Sequence, residues 1–132
     1  MLNIKIKTVL DALQRYNTVG DYYVDEKGEE DIVVSDMGDW RFEILTALHE
    51  IVESALCQER GISIESIDAF DIAYEEKRLP GDVSEPGDDP SAPYYKEHQF
   101  ANKMERMLAD ELGVDWEKYI KKVDALTMDV VK

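Results

Sequence analysis

Residues 39–60 read DWRFEILTALHEIVESALCQER, and the fold turns on how Asp39 to Arg60 is taken. Apolar side chains recur at helical spacing along the stretch. Asp39 stands where an N-cap carboxylate accepts the free amides of a first turn, and Gly61 follows as a helix-ending residue would. The segment therefore reads as one long amphipathic helix. With Leu45 at zero and about 100° per residue, Ile44, Leu48, Ile51, Val52, Ala55 and Leu56 fill one apolar arc. His49 falls at the edge of that arc and Glu53 just beyond it, which predicts that the pair lies at the border between core and solvent. Residues four apart share a helix face, so His49 and Glu53 can point at one atom while Glu50 is displaced to one side. That is half of a metal site.

Working outward, Asn3 to Lys7 alternates polar and apolar residues, which predicts a strand with one buried face, and residues 8–16 read as a short helix or as irregular chain. Thr18–Asp25 and Asp31–Ser35 are rich in Tyr and Val and flank a polar loop bearing Gly28, the pattern of an antiparallel hairpin. Beyond the long helix, Ser63 caps a second one, with Ile64, Ile67, Phe70 and Tyr74 on a stripe and Glu65, Asp68 and Asp71 facing outward. All four prolines lie in residues 80–93, a loop within one domain that reads as a lid or a mobile insertion, with Asp88-Asp89 as turn chemistry. A third helix, Tyr94–Leu112, places Phe100, Ala101, Met104, Met107, Leu108 and Leu112 on its apolar face. His98 and Glu105, seven apart, border that face; Glu97 lies nearer its centre, and Gly113 ends the helix. Asp115 caps a last helix to about Leu126, with a core stripe of Trp116, Tyr119, Ile120 and Val123, and residues 127–132 read as a tail. The expected fold class is α+β: a single domain over 1–132, with a small N-terminal antiparallel sheet followed by three to four packed helices and the 39–60 helix as spine.

A chain of 132 residues that is 44% hydrophobic can build one real core and is too short for two. Thirty acids against fifteen bases give a net charge of -15, a field that repels phosphate backbones and argues against direct binding of DNA or RNA. Cys57, the single cysteine, has no partner for an intrachain disulfide and reads as an ordinary buried thiol. The N-terminus lacks the apolar run of a signal peptide, and no segment approaches the roughly eighteen apolar residues of a membrane span. The expectation is a soluble, cytoplasmic protein whose partner is an unknown protein or a small substrate.

Both histidines of the chain sit on predicted helices with carboxylates at helical spacing. If the two helices pack side by side, His49, Glu53 and His98 can converge on one cation, with Glu105 as a candidate fourth ligand. Two imidazoles with one or two carboxylates suit Zn²⁺, and a carboxylate-richer set suits Mn²⁺ or Fe²⁺. Glu50, beside a ligand, is then the candidate catalytic base for water activated by the ion. The motif His49-Glu50-x-x-Glu53 resembles the His-Glu-x-x-His helix of zincin metalloproteases, with Glu53 in place of the second histidine. The hairpin before it is similar to the strand that lies above that helix. The resemblance covers the hairpin and one helix; it implies His49 and His98 as ligands, Glu50 as general base, and hydrolysis of a peptide or similar bond.

Over nearly the whole chain, Thr18-Val19-Gly20-Asp21, Val34 to Arg41, Gly87-Asp88-Asp89-Pro90 and Pro93-Tyr94-Tyr95 resemble a family of small phage and prophage proteins of unknown function, which implies a genomic setting and no reaction. Glu50-x-x-Glu53 with Glu65-x-x-Asp68 also resembles the paired acidic motifs by which all-helical pyrophosphohydrolases of the MazG type hold Mg²⁺. A reading from another class is an acidic interaction or inhibitor protein that binds a basic partner through its charge and needs no metal. In that case both histidines are packed, hydrogen-bonded residues.

Overall fold

The structure is a computed structural model that describes residues 1–131. The hairpin forms from β2 (Gly20–Val24) and β3 (Glu30–Ser35), antiparallel, with Tyr22 opposite Ile32 and Gly20 opposite Val34. Its turn is closed by Asp25, whose Oδ1 accepts the amides of Lys27 at 2.9 Å and Glu29 at 3.0 Å. Gly28 supplies the left-handed residue there, at φ 79°. The first strand, β1 (Ile4–Val9), adds to the other edge of β3 in parallel, Ile6 beside Ile32, so the sheet order is β1-β3-β2. The sheet is thus mixed: the hairpin is antiparallel as expected, and β1 extends it in the other sense.

Of residues 8–16, undecided in the sequence, 8 and 9 end β1 and Asp11–Leu13 form a 3-10 turn; the chain up to residue 19 then crosses one face of the sheet. Gln14 donates from Nε2 to the Val19 carbonyl at 3.2 Å and to Ser35 Oγ at 3.1 Å. Arg15 grips Asp21 through two nitrogens, at 2.7 and 2.9 Å, with its guanidinium 4.9 Å above the Tyr23 ring. This crossing buries the second face of β3, so that Asp31, Val33 and Ser35 are as enclosed as Ile32 and Val34.

Four helices follow: α1 (Trp40–Glu59), α2 (Ile64–Glu76), α3 (Tyr95–Leu112) and α4 (Trp116–Val131). Their ends are where side-chain chemistry puts them. Asp39 Oδ1 accepts the Arg41 amide at 2.9 Å, Ser63 Oγ accepts that of Ser66 at 3.1 Å, and Gly113 closes α3 in the left-handed region at φ 69°. Asp115 caps α4 through the amides of Glu117 and Lys118. That helix runs on past Leu126, so residues 127–131 continue it instead of forming a tail; Lys132, the end of the expected tail, lies outside the described residues. Among the described residues no helix is long and apolar enough to cross a membrane.

Helix polarity departs from the sequence pattern. The core collects Tyr22, Ile32, Val34, Leu45, Cys57, Ile67, Tyr119 and Val123. On α1, however, the buried face also carries Thr46, His49, Glu50, Glu53 and Ser54, while Ile44, at the head of the apolar arc, is 45% exposed. His49 therefore lies inside and not at the solvent border. On α3 the buried residues are Glu97, His98, Ala101, Glu105 and Ala109, and Phe100 and Met107 are exposed. Asp71 on α2 also points inward. The reason, for all but Glu50, is pairing: a buried polar group is tolerated where a partner meets it. Arg60 donates to Glu97 at 2.7 Å, and two tyrosines donate to Asp71.

This inverted helix makes a direct test. Leu45→Ala should destabilise by about 2–5 kcal/mol through the cavity it leaves, whereas Ile44→Ala should stay within about 0.5 kcal/mol, both read from urea denaturation. Equal losses at the two positions would show that the arc is buried after all.

Candidate metal centre

The side-by-side packing of α1 and α3 brings the two histidine-bearing faces together. His49 Nε2 lies 3.1 Å from His98 Nδ1, and both nitrogens approach one oxygen, Glu53 Oε2, at 3.0 and 2.8 Å. The rings meet edge on, with centroids 4.6 Å apart. His49, Glu53 and His98 form a buried group that could hold a metal ion. For an ion bound tetrahedrally at zinc-like distances, ligand atoms stand about 3.3 Å apart, so the triangle needs to open by only a few tenths of an ångström.

The outer atom of each of the three residues is also fixed. His49 Nδ1 donates to Glu105 Oε1 at 2.8 Å; Glu105 Oε2 accepts the Tyr119 hydroxyl at 2.5 Å, and that hydroxyl accepts from Thr46 Oγ1 at 2.7 Å. His98 Nε2 faces two loop carboxylates, Glu85 Oε2 at 3.0 Å and Asp88 Oδ1 at 3.3 Å. Glu53 Oε1 accepts the Tyr22 hydroxyl at 3.1 Å. A histidine that donates its outer N–H to a carboxylate presents the lone pair of its inner nitrogen, which is the arrangement that orients metal-ligating imidazoles. Both histidines have it here, and both inner nitrogens face Glu53.

Without an ion, protons hold the same triangle. Burial alone would lower the pKa of His49, but its hydrogen bonds to Glu105 and Glu53 outweigh that and push it well up. For His98, bonds to Asp88, Glu53 and Glu85 overcome burial in the same way and raise it to about 12. Burial would raise Glu53, yet its bonds to both imidazoles take it down to about 2. These shifts favour the charged forms of both imidazoles and of the carboxylate between them, and an ion bound there would compete with protons for the inner nitrogens.

No protein-family model, curated protein or solved structure matches the chain.

The sequence-derived candidates divide by position. His49, Glu53 and His98 meet. Glu105 does not join them: it sits on the far nitrogen of His49 and holds the ring. Glu50 points into a cavity of about 100 Å³ that His49, Glu53 and His98 also line. It is 9% exposed, makes no hydrogen bond among the described residues, and has its pKa pushed well up, first by burial and then by the charge of Glu53. It lies directly under β2, where a methyl added to Gly20 would stand 2.6 Å from its Oε1. Of the second acidic pair, Glu65 is exposed and Asp68 is bound to Arg15 at 3.3 Å. Cys57 is a buried free thiol, pushed up to about 12 by burial.

Several residues of the centre were not legible as such. Tyr22 and Tyr119 read as ordinary strand and core aromatics, and their hydroxyl roles follow only from the packing of distant elements. Glu85 and Asp88 belong to the proline loop, whose Asp88 reads as turn chemistry. Asp71 reads as outward-facing, but it lines the same cavity and accepts Tyr94 at 2.5 Å and Tyr16 at 3.1 Å. The available signal was the recurrence of polar residues at helical spacing, His49, Glu50 and Glu53 on α1 and Glu97, His98 and Glu105 on α3.

Burial raises the Asp71 carboxyl to about 7, against the opposing hydrogen bonds from Tyr94 and Tyr16. An unfolded chain gives up that proton near pH 4. Between those values the folded state holds the extra proton, so the contribution of Asp71 to stability is greatest below about pH 4 and declines as pH rises to about 7. Urea denaturation of chelator-treated protein at pH 5 and pH 7.5 should show a smaller decline for Asp71→Asn than for the wild type; parallel declines would remove Asp71 from the balance.

Proposed function

We propose that this chain binds one divalent metal ion through His49, Glu53 and His98 and uses it in hydrolysis, with Glu50 as the base. The observation that carries the reading is the convergence of three inward donor atoms, each on a residue whose outer atom is already hydrogen-bonded. Two imidazole nitrogens and one carboxylate oxygen favour zinc, with manganese or iron as the next choices. Three protein ligands match the count of catalytic zinc sites, which keep one position for water or substrate, whereas structural sites are closed by four. The net charge of -15 favours the approach of a cation.

The chemistry assigned to the chain's own groups is simple. Glu50 is in the cavity with the ligands, makes no hydrogen bond among the described residues, and is buried, which raises its pKa above the ordinary carboxylate value. Its task is to accept a proton from the attacking water and pass it to the leaving group. An ion held by His49, Glu53 and His98 would polarise the carbonyl under attack. The resemblance of His49-Glu50-x-x-Glu53 to the zincin helix supports this division of labour and suggests a peptide or related amide as substrate. The setting in phage genomes is a further part of this proposal, resting on the resemblance alone.

Elemental analysis of untagged protein tests the reading. Near-stoichiometric zinc, manganese or iron is expected, lost in both His49→Ala and His98→Ala. Glu50→Gln should keep the metal and lower any hydrolytic rate on a peptide panel by about 10²–10⁴-fold. Wild-type protein with no metal, and no change in Tm on adding zinc or manganese, would overturn the proposal.

A further inference from the structure

The proline-containing loop lies on the centre. Its 3-10 turn, Pro86–Asp88, rests against the His98 ring so closely that a methyl added at Gly87 would stand 2.4 Å from His98 Cγ and 2.5 Å from Nδ1. The backbone at Gly87 is not in the left-handed region, so what demands a glycine is the contact with the ring. On either side of Gly87, Glu85 and Asp88 face His98 Nε2. Asp88 Oδ1 is steadied in turn by Gln99 Nε2 at 2.9 Å and Asn102 Nδ2 at 3.3 Å, one and two turns along α3.

The other end of the loop is anchored on α2 by one side chain. Arg78 donates through two nitrogens to Glu75, both at 2.7 Å, and sends the rest of its fork to backbone oxygens of the loop, Asp82 at 2.6 Å and Ser84 at 2.8 Å. The side chain is only 3% exposed. Tyr74 adds a hydroxyl bond to Ser84 Oγ, and its ring carries the Arg78 guanidinium at 5.5 Å. A buried arginine with its donors directed at two loop carbonyls fixes a backbone path, because its planar fork has little freedom left.

We infer that residues 80–93 form a strap, anchored by Arg78 and seated on His98 through Gly87, which holds that ring as a metal ligand. Arg78 and Gly87 are positioning residues: neither offers a ligand atom, and both act through where Glu85 and Asp88 come to stand. This rests on the metal site proposed above and goes beyond it by assigning a role to a loop that supplies none of that site's three ligands, although its Glu85 and Asp88 with His98 form a second group that could hold an ion. By linkage, a strap that favours the ion is itself favoured by the ion, so metal binding and loop order rise together.

The test uses the full chain with zinc added, affinity read by competition with a chromophoric chelator, the cobalt-loaded protein read by visible absorption, and hydrogen exchange followed across residues 80–93. Arg78→Ala and Gly87→Ala are compared with the wild type, with far-UV circular dichroism confirming the fold; Gly87→Ala adds one methyl and leaves the buried arginine in place. Each should weaken zinc binding about tenfold or more, as outer partners of metal ligands do. Each should also alter the cobalt spectrum and speed exchange in the loop, while Arg78→Lys recovers part of the affinity. Wild-type affinity and spectrum in folded Gly87→Ala would overturn the strap while leaving the metal site standing. Wild-type protein that takes up no zinc overturns the metal site, and the strap with it.

Discussion

Two imidazole nitrogens 3.1 Å apart, sharing one carboxylate oxygen inside a small domain, set the terms for the rest of this structure. Such a group survives burial only where every outer atom finds a partner, because an unpaired polar group in an apolar interior costs more than its lost contact. The fold meets that demand from every side. β2 brings Tyr22 to Glu53, α3 brings Glu105 to His49, α4 brings Tyr119 to Glu105, and the proline loop brings Glu85 and Asp88 to His98. Apolar side chains in the same space would serve stability better, since buried charged clusters are often neutral or costly beside hydrophobic replacements. Histidines and carboxylates at the centre are what the proposed metal site would ask of this interior.

The architecture was largely legible because its signals are local. Asp39 and Ser63 at helix starts, Gly61 and Gly113 at helix ends, and Gly28 in a polar turn between two Tyr- and Val-rich runs each state their geometry within a few residues. The meeting of His49, Glu53 and His98 was also within reach, as two helical faces with matching chemistry. What failed was the assumption that apolar periodicity marks the inward face. On α1 the arc beginning at Ile44 is shallow or exposed, and the inward face is the one with His49, Glu50 and Glu53. Periodicity reports amphipathicity and is silent on which side is wet when the polar side has partners waiting. On α3 the same inversion leaves Met107 and Phe100 outside.

The remaining departures are all long-range. Nothing in residues 3–9 distinguishes a parallel neighbour of β3 from an antiparallel one; the choice depends on residues 10–19 crossing the sheet and on β2 having taken the other edge. Likewise, nothing near Glu85 or Asp88 announces a histidine thirteen and ten residues further on, because the loop reaches it by folding back over α3. Gly20 and Gly87 are the two positions where sequence alone carries a trace, each permitting a backbone to lie where any side chain would collide with Glu50 or His98.

The spacing of the centre along the chain also bears on kinetics. His49 and His98 are 49 residues apart, so their contact closes a long loop whose entropy must be lost before the contact returns anything. Contacts of this kind form late, after local helices and the hairpin are in place. An ion held between α1 and α3 would then leave the rate of folding nearly unchanged and act on the rate of escape from the native state, since it stabilises what the transition state has yet to make. Its mark on the protein would be longevity, a native state that opens rarely, more than speed of assembly.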